Sequence, residues 1–449
     1  MKKIFTVLII FLSLSLKVAA EDATVKQLDF KESILIALEN NNEIRAIKNS
    51  LDATEQDIGI ARSSLMPKIS VGEDFITTNN PAQVFALKLN QTRLTGADFA
   101  GAPNSFNHPG NLTNFMTYGM VQMPVFNKQS IEALKMAKIQ YSSNGYVYLR
   151  KQEELVKNVS IAYLAIGTAQ EYITVAESGL KDAQEHLRAA TVRNKSGLGL
   201  YSDVLRSKTE VAEAEQRLVS ANKNYKVAKR MLGLLIGSKN DVEISSKSPV
   251  LDLKEEAYYT QLAQERNDLK AMEKQVDNAK NNVKLAQADW FPSLNLSASY
   301  NLYNQSYPFG AEGNNYTAGG FLSWSVFDGN KRVYETKKAK DKVKEAQEYL
   351  EGLKKTVDFK VFEAFLGVEE ANKNFELSQV ALQDAQEGER LVLKRWQSGL
   401  ANFVDLMDAQ ANLDRARANY VKSQNDLKTQ LITLYFESGV IKKELNLED

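Results

Sequence analysis

The 449-residue chain has no cysteine and only two histidines, His108 and His186. Without a thiol there is no disulfide framework, thiolate zinc site, iron–sulfur cluster or cysteine nucleophile. Two histidines leave little room for imidazole catalysis. Charge of one sign is also lacking: 56 basic side chains face 56 acidic ones, so no bulk field draws the chain to nucleic acid or anionic lipid. The G-x-S-x-G, G-x-x-x-x-G-K, G-x-G-x-x-G and H-E-x-x-H patterns are missing too, which argues against an enzyme. Beyond Leu16 no apolar stretch is long enough to cross a bilayer as a helix, so any membrane insertion must use strands.

The apolar run that is present lies at the start. Lys2 and Lys3 precede Ile4 to Leu16, and Val18-Ala19-Ala20 offers small residues for cleavage before Glu21. Residues 1–20 are therefore expected to be an export signal, and with no cysteine after the cut a lipidated N-terminus is excluded. A short membrane anchor is the alternative, but the run falls short of the roughly 20 residues a spanning helix needs.

The rest of the chain is written twice. Ala46 to Phe75 and Ala271 to Tyr300 each pass from a helical pattern through a proline, Pro67 or Pro292, into alternation. Pro124-Val125-Phe126-Asn127 is answered by Ser325-Val326-Phe327-Asp328, and Ser196-Gly197-Leu198 by Ser398-Gly399-Leu400. The first copy carries about two dozen extra residues, all between its strands, in a stretch from about Asn79 to Asn114 rich in Pro and Gly that reads as a long surface loop. Gly237 to Leu253, polar and holding Pro249, reads as a connector between the copies.

Within each copy the periods are clear. Leu155, Val159, Ala162, Ile166, Ala169, Ile173, Ala176, Leu180, Ala183, Leu187 and Ala190 recur at alternating steps of four and three, the 3.5-residue period of coiled-coil packing. The second copy keeps it from Val357 to Ala385, breaks at Glu389, and resumes at Val392 and Trp396. A small residue at every seventh position lets helices approach closely. The pattern restarts after each Ser-Gly-Leu, so each copy holds a helical hairpin that turns at its glycine, where positive φ costs little. The outgoing arm, roughly Asn127 to Asn194, would be about 100 Å long, with the return arm and the helix before the proline each about half of that.

Ser293 to Leu302 alternates apolar with small polar residues, and Tyr316, Ala318, Gly320, Leu322, Trp324 and Val326 supply a partner's apolar face. Strands near Lys68 to Thr78 and Asn114 to Pro124 alternate less well, with Glu73 and Asp74 adjacent. Trp324, Tyr300, Tyr303 and Tyr316 suit an interfacial aromatic belt or a soluble sheet face equally. Met116, Met120 and Met123 are expected to fill gaps or face lipid rather than bind metal, and His186 to be a surface or helix-contact residue. Four strands cannot close a membrane barrel, which needs at least eight.

In this ordered, duplicated set of junctions, strand exits and tips, the sequence resembles the TolC-like outer membrane efflux protein family over essentially its whole mature length. The tips that carry the resemblance run from Ser196 to Val204 and from Ser398 to Leu406. The resemblance implies a fold that is mainly α with a membrane β-barrel. Duplicated helix-strand-strand-helix units (21–236, with a strand pair at about 68–124 and a tip at 196–203; 257–449, with a strand pair at 293–327 and a tip at 398–405) would flank an equatorial connector at 237–256. A homotrimer would build a twelve-stranded barrel in outer-membrane lipid, continued by a coiled-coil α-helical tunnel in the periplasm of a Gram-negative bacterium. Such a protein is a passive duct for efflux or type I secretion. It has no cofactor and docks through a periplasmic adaptor onto an inner-membrane RND, ABC or MFS-type transporter.

The family's gate maps onto Asp405 and Asp408, which three chains would gather as six carboxylates at one constriction favouring cations. Acids in a helix's first turns can equally serve only its dipole. Asp203 matches the acid that helps hold the family's mouth shut through an Arg and a Tyr. Here those positions are Ala401 and Trp396, so that latch cannot form. Arg395 or Arg206 would supply a substitute cation, or Trp396 would close the mouth by packing. Gly197, Leu198, Gly399 and Leu400 are the expected adaptor-docking tips, Leu beside a helix end being otherwise a packing contact. The rival class is a periplasmic coiled-coil adaptor or scaffold, extractable without detergent, which leaves both strand pairs unexplained.

Overall fold

A computed structural model describes residues 27–100, 103–238, 241–245 and 249–447. The expected export signal, residues 1–20, lies outside them. The chain is mainly helical and falls into two compact units.

One unit is built from Leu38–Lys157, Leu251–Lys373 and the chain from Gln430 on. It contains the sheet. Strands β2 (Lys68–Thr78) and β3 (Leu112–Phe126), then β5 (Ser293–Asn304) and β6 (Gly313–Ser323), form one antiparallel sheet in the order β2-β3-β5-β6. Its register sorts the residues into two faces, because directly paired residues share a face. Ile69, Val71 and Phe75 pair with Val121, Gly119 and Phe115, and on the same face lie Leu296, Ala298, Tyr300, Tyr316 and Leu322. The other face carries Lys68, Ser70, Asp74, Gln122, Asn295, Ser297, Ser299, Asn301 and Asn315. Ile69 and Val71 are each 76% exposed and Tyr316 80%, so among the described residues of one chain nothing covers these side chains of the apolar face. Among the described residues both outer strands, β2 and β6, leave a ladder edge unpaired.

The sheet places the residues singled out in the sequence. Trp324 and Val326 lie past the end of β6, where the Trp324 indole N–H donates to Trp290 O at 3.2 Å. Tyr303 is buried on the polar face, opposite in sense to Tyr300 and Tyr316, which pair directly. Met116 and Met120 also sit on the polar face and only Met123 on the apolar one, so the three thioethers do not form one group. Glu73, the poorly alternating residue, sits on the apolar face and accepts a hydrogen bond from Thr117 across the pair.

The insertion is not a plain loop. It holds helices α3 (Pro81–Asn90), α4 (Gly96–Phe99) and α5 (Asn104–Asn107). Phe106 meets Phe85 and Phe99 edge-on, each at 5.4 Å between centroids. Lys88 bonds Asp98 at 2.7 Å and, with the Thr95 N–H, holds that carboxyl down to about 2. Pro81 thus starts a helix instead of marking only a turn, and the three aromatic rings join the helices.

Each strand exit feeds a long helix: α6 (Lys128–Lys195, 68 residues) after β3 and α10 (Lys331–Gln397, 67 residues) after β6. The repeated Val-Phe-Asn and Val-Phe-Asp have a local reason. The Asn127 side chain accepts from Ser130 N at 3.0 Å and that of Asp328 from Arg332 N at 3.0 Å, capping donors that the first turn leaves free. Buried Arg332 then donates to Val326 O and Asp289 O and stacks on Trp290, tying strand exit to helix–proline junction. The helices before the prolines, α2 (Asn42–Ser63) and α9 (Asn267–Ala286), are 22 and 20 residues, shorter than expected. Asn41, accepting from Glu43 N and Ile44 N, starts α2 afresh after α1 (Phe30–Asn40). On α10 the seam read from the period, Val357, Val361, Ala364, Val368 and Ala371, is buried. At the C-terminal end of this unit Glu444 accepts from Lys254 at 2.7 Å and from the Tyr258 hydroxyl at 2.5 Å. Those bonds outweigh burial and hold its carboxyl below the ordinary value.

The second unit comprises the chain to Ala37, Asn158–Val250 and Asn374–Thr429. It includes the return helix α7 (Tyr201–Leu235) and most of α11 (Phe403–Glu437), each 35 residues. Val159, Ile166, Ile173, Ala183 and Ala190 of the α6 seam are buried. Within this unit β4 (Glu243–Ile244) pairs in parallel with β1 (Gln27–Leu28), and the Tyr163 hydroxyl donates to Ser245 O at 2.8 Å. The segment expected to be a connector is thus structured at Glu243–Ile244, where it joins a ladder.

Candidate functional site

The two hairpin tips lie together in the second unit. Both are built alike up to the turn. Gly197 and Gly399 have φ of +70° and +76°. Leu198 N donates to Arg193 O and Gly197 N to Asn194 O; Leu400 N donates to Arg395 O and Gly399 N to Trp396 O. This is a Schellman closure, in which only glycine takes the left-handed position cheaply. Leu198 and Leu400, each 72% exposed, project beyond it.

After the turn the tips differ. Asn402 accepts from Asp405 N at 2.9 Å while Asp405 accepts from Asn402 N at 3.2 Å, a reciprocal capping box at the start of α11. In the first tip Leu200 occupies the capping position and offers no side-chain acceptor. One Asp405 oxygen thus serves the helix end, yet both Asp405 and Asp408 stay exposed, a turn apart on one face of α11.

Under the tips Trp396, Phe403, Leu406, Val204 and Ala190 form a buried cluster, Trp396 being 4% exposed with its ring 5.6 Å from that of Phe403. Arg193 reaches across from the first tip. Its guanidinium donates to Trp396 O and Gln397 O, each at 3.0 Å, and lies 5.0 Å from the Trp396 ring. A cation thereby meets the last carbonyls of α10, where the helix dipole is negative. Asp203 is half-buried, and among the described residues its carboxylate has no partner; Arg206 and Arg395 are exposed and do not reach it. Neither substitute cation for Asp203 forms within one chain, whereas Trp396 does pack.

Further from the tips, pattern reading missed a polar layer. Arg417 pairs with Asp182 at 2.7 Å, Arg217 with Glu210 at 2.7 Å and Asp414 at 3.4 Å, and Gln410 donates to Asp414 at 2.9 Å. Burial pushes the Asp414 carboxyl up despite these donors. His186 is buried, with Nε2 3.5 Å from Glu389. Glu389 is where the heptad of α10 broke, so the break and the histidine are one contact. No single-helix signal links residues so far apart in the chain. Among the described residues no cluster of His, Asp and Glu could hold a metal ion, and no helix is long and apolar enough to cross a membrane.

The chain that carries this open sheet and these two glycine-closed tips is similar to known proteins over most of its length. The family model described as outer membrane efflux protein aligns with residues 34–238 and 258–440. The chain belongs to that family. It is 22% identical over 425 residues to the outer membrane protein TolC of Escherichia coli K12, covering 88% of this chain and 80% of that protein. It is likewise 22% identical to the alkaline protease secretion protein AprF of Pseudomonas aeruginosa, covering 92% and 84%. The crystal structure of the outer membrane protein VceC from Vibrio cholerae superposes with a TM-score of 0.74 at 16% identity, covering 91% of this chain and 96% of that one. This TolC-like protein is an outer-membrane efflux or secretion channel with its helical part in the periplasm, and the family is one of channels rather than enzymes. The adaptor or scaffold reading is not favoured.

Proposed function

We propose that three copies of the chain close a twelve-stranded barrel continued by a helical tunnel, the passive duct of a tripartite efflux or type I secretion system. The observation that carries this reading is the four-stranded sheet, apolar on one exposed face, polar on the other, and unpaired along both edges. In lipid an open edge leaves backbone groups without partners, so strands that span must close on further strands. Three chains in a ring supply twelve, and the polar face then lines the lumen. Strands of 11 to 15 residues are long enough to cross. Two copies of one unit, 21–236 and 257–449, joined by the connector at 237–256, would give each subunit two hairpins.

At the periplasmic mouth Asp405 and Asp408 would form the cation-selective ring, with Asp203 and Trp396 in the gate. Gly197, Leu198, Gly399 and Leu400 would meet a periplasmic adaptor, which couples the duct to an inner-membrane transporter of the RND, ABC or MFS type. Exposure of both acids and both leucines in the single chain leaves them available for these roles. The test is conductance of the purified protein in a planar bilayer. Wild type should give a stable cation-selective pore, and Asp405→Asn with Asp408→Asn should weaken both selectivity and block by multivalent cations. Unchanged selectivity would remove the ring, and folded protein that stays soluble without detergent would remove the duct.

A further inference from the structure

Arg193 and Arg395 stand at the same place in the two tips: each is the residue whose carbonyl accepts the Leu N–H of the Schellman closure. The backbone around them is the same, so their side chains leave equivalent helix ends in equivalent directions. Arg193 uses that position to hold the second tip, through Trp396 O and Gln397 O. The guanidinium of Arg395 is exposed and, among the described residues, has no partner in its own chain.

We propose that Arg395 makes the same bond between chains, its guanidinium donating to Asn194 O and Lys195 O at the first tip of a second copy. The inference rests on the trimeric reading above. In a closed ring of six hairpins the neighbour beyond each second tip is a first tip of the next copy. The matching acceptors there are the last carbonyls of α6, which bear the negative end of its dipole. One lone pair of Asn194 O is taken by Gly197 N, just as Trp396 O holds Gly399 N and still receives Arg193. One component has no equivalent. The Trp396 ring beneath Arg193 is replaced by Asn194, whose amide is turned to Gly199 O. The joint between chains therefore lacks the cation–π contact and is the weaker of the two, so the mouth parts at its three subunit boundaries first.

The natural absence of cysteine makes the test direct. Full-length Arg395→Cys with Lys195→Cys, and separately Arg395→Cys with Asn194→Cys, are treated with a short bismaleimide, and the oligomeric mass is recorded on a native gel beforehand. The expected result is covalent dimers and trimers on a denaturing gel from both pairs. Arg193→Cys with Gln397→Cys should give only a cross-linked monomer, and Arg395→Cys alone no cross-link. Monomers alone from both Arg395 pairs, in protein that is trimeric beforehand, would overturn the joint and leave the duct standing. Protein that is not trimeric to begin with would overturn both.

Discussion

The two tips share a turn and differ in the side chains that pack and cap around it. Gly197 and Gly399 close their helices with the same two backbone bonds, yet the second tip has the Asn402–Asp405 capping box and the buried Trp396, where the first has Leu200 and Asn194. The first tip contributes the reaching group, Arg193, and the second the surface that receives it. The turn is a requirement of the hairpin and recurs. The packing is a property of the pair, so one half can supply the aromatic ring and the other the cation.

The sharpest way to break that comparison is at the cluster. Trp396→Ala removes a buried indole and should cost about 3–5 kcal/mol, read as a lowered unfolding midpoint, while Asn194→Ala should cost less than about 1 kcal/mol. Equal losses would mean that the tips are equivalent after all. The glycines probe the shared part. Beyond the adjoining residues, no described atom lies within 4 Å of an added Cβ at either position. Gly197→Ala and Gly399→Ala should therefore cost only the left-handed backbone, about 1–2 kcal/mol and the same at both tips. A large difference in chemical-denaturation stability between them would show that the turns are not alike. The smallest effect concerns the caps: Asn402→Ala should lose about 1 kcal/mol, and Leu200→Asn should gain up to about 1 kcal/mol by installing the missing cap. No gain there would mean that the first helix start is satisfied in another way.

The helices were legible because burial along a long helix leaves a 3.5-residue period, and Val159, Ile166 and Val361 are buried where that period puts them. The strands were legible where alternation was clean and misjudged at their ends: Trp324 and Val326 keep the pattern after the ladder has stopped, since side-chain alternation carries no information about hydrogen bonding. The insertion was misread because proline and glycine mark turns, whereas the Phe85, Phe99 and Phe106 contacts that fold it join residues with no common period. Of the candidate site, Asp405, Asp408 and both leucines are exposed. For Asp405 only a dipole role was visible as an alternative; its capping bonds with Asn402, and the partner of Trp396, Arg193, which lies 203 residues away in the chain, were not.

By itself the sequence determined the long helices, the proline-marked change from helix to strand, and the glycine turns, because each depends on neighbours within a few residues. Only the tertiary structure decided which side chains meet between helices far apart in the chain. Arg193 with Trp396, His186 with Glu389, and Arg417 with Asp182 are contacts between distant helices. Periodicity says which face of a helix is buried, and the choice of partner on that face belongs to the packing of one helix against another.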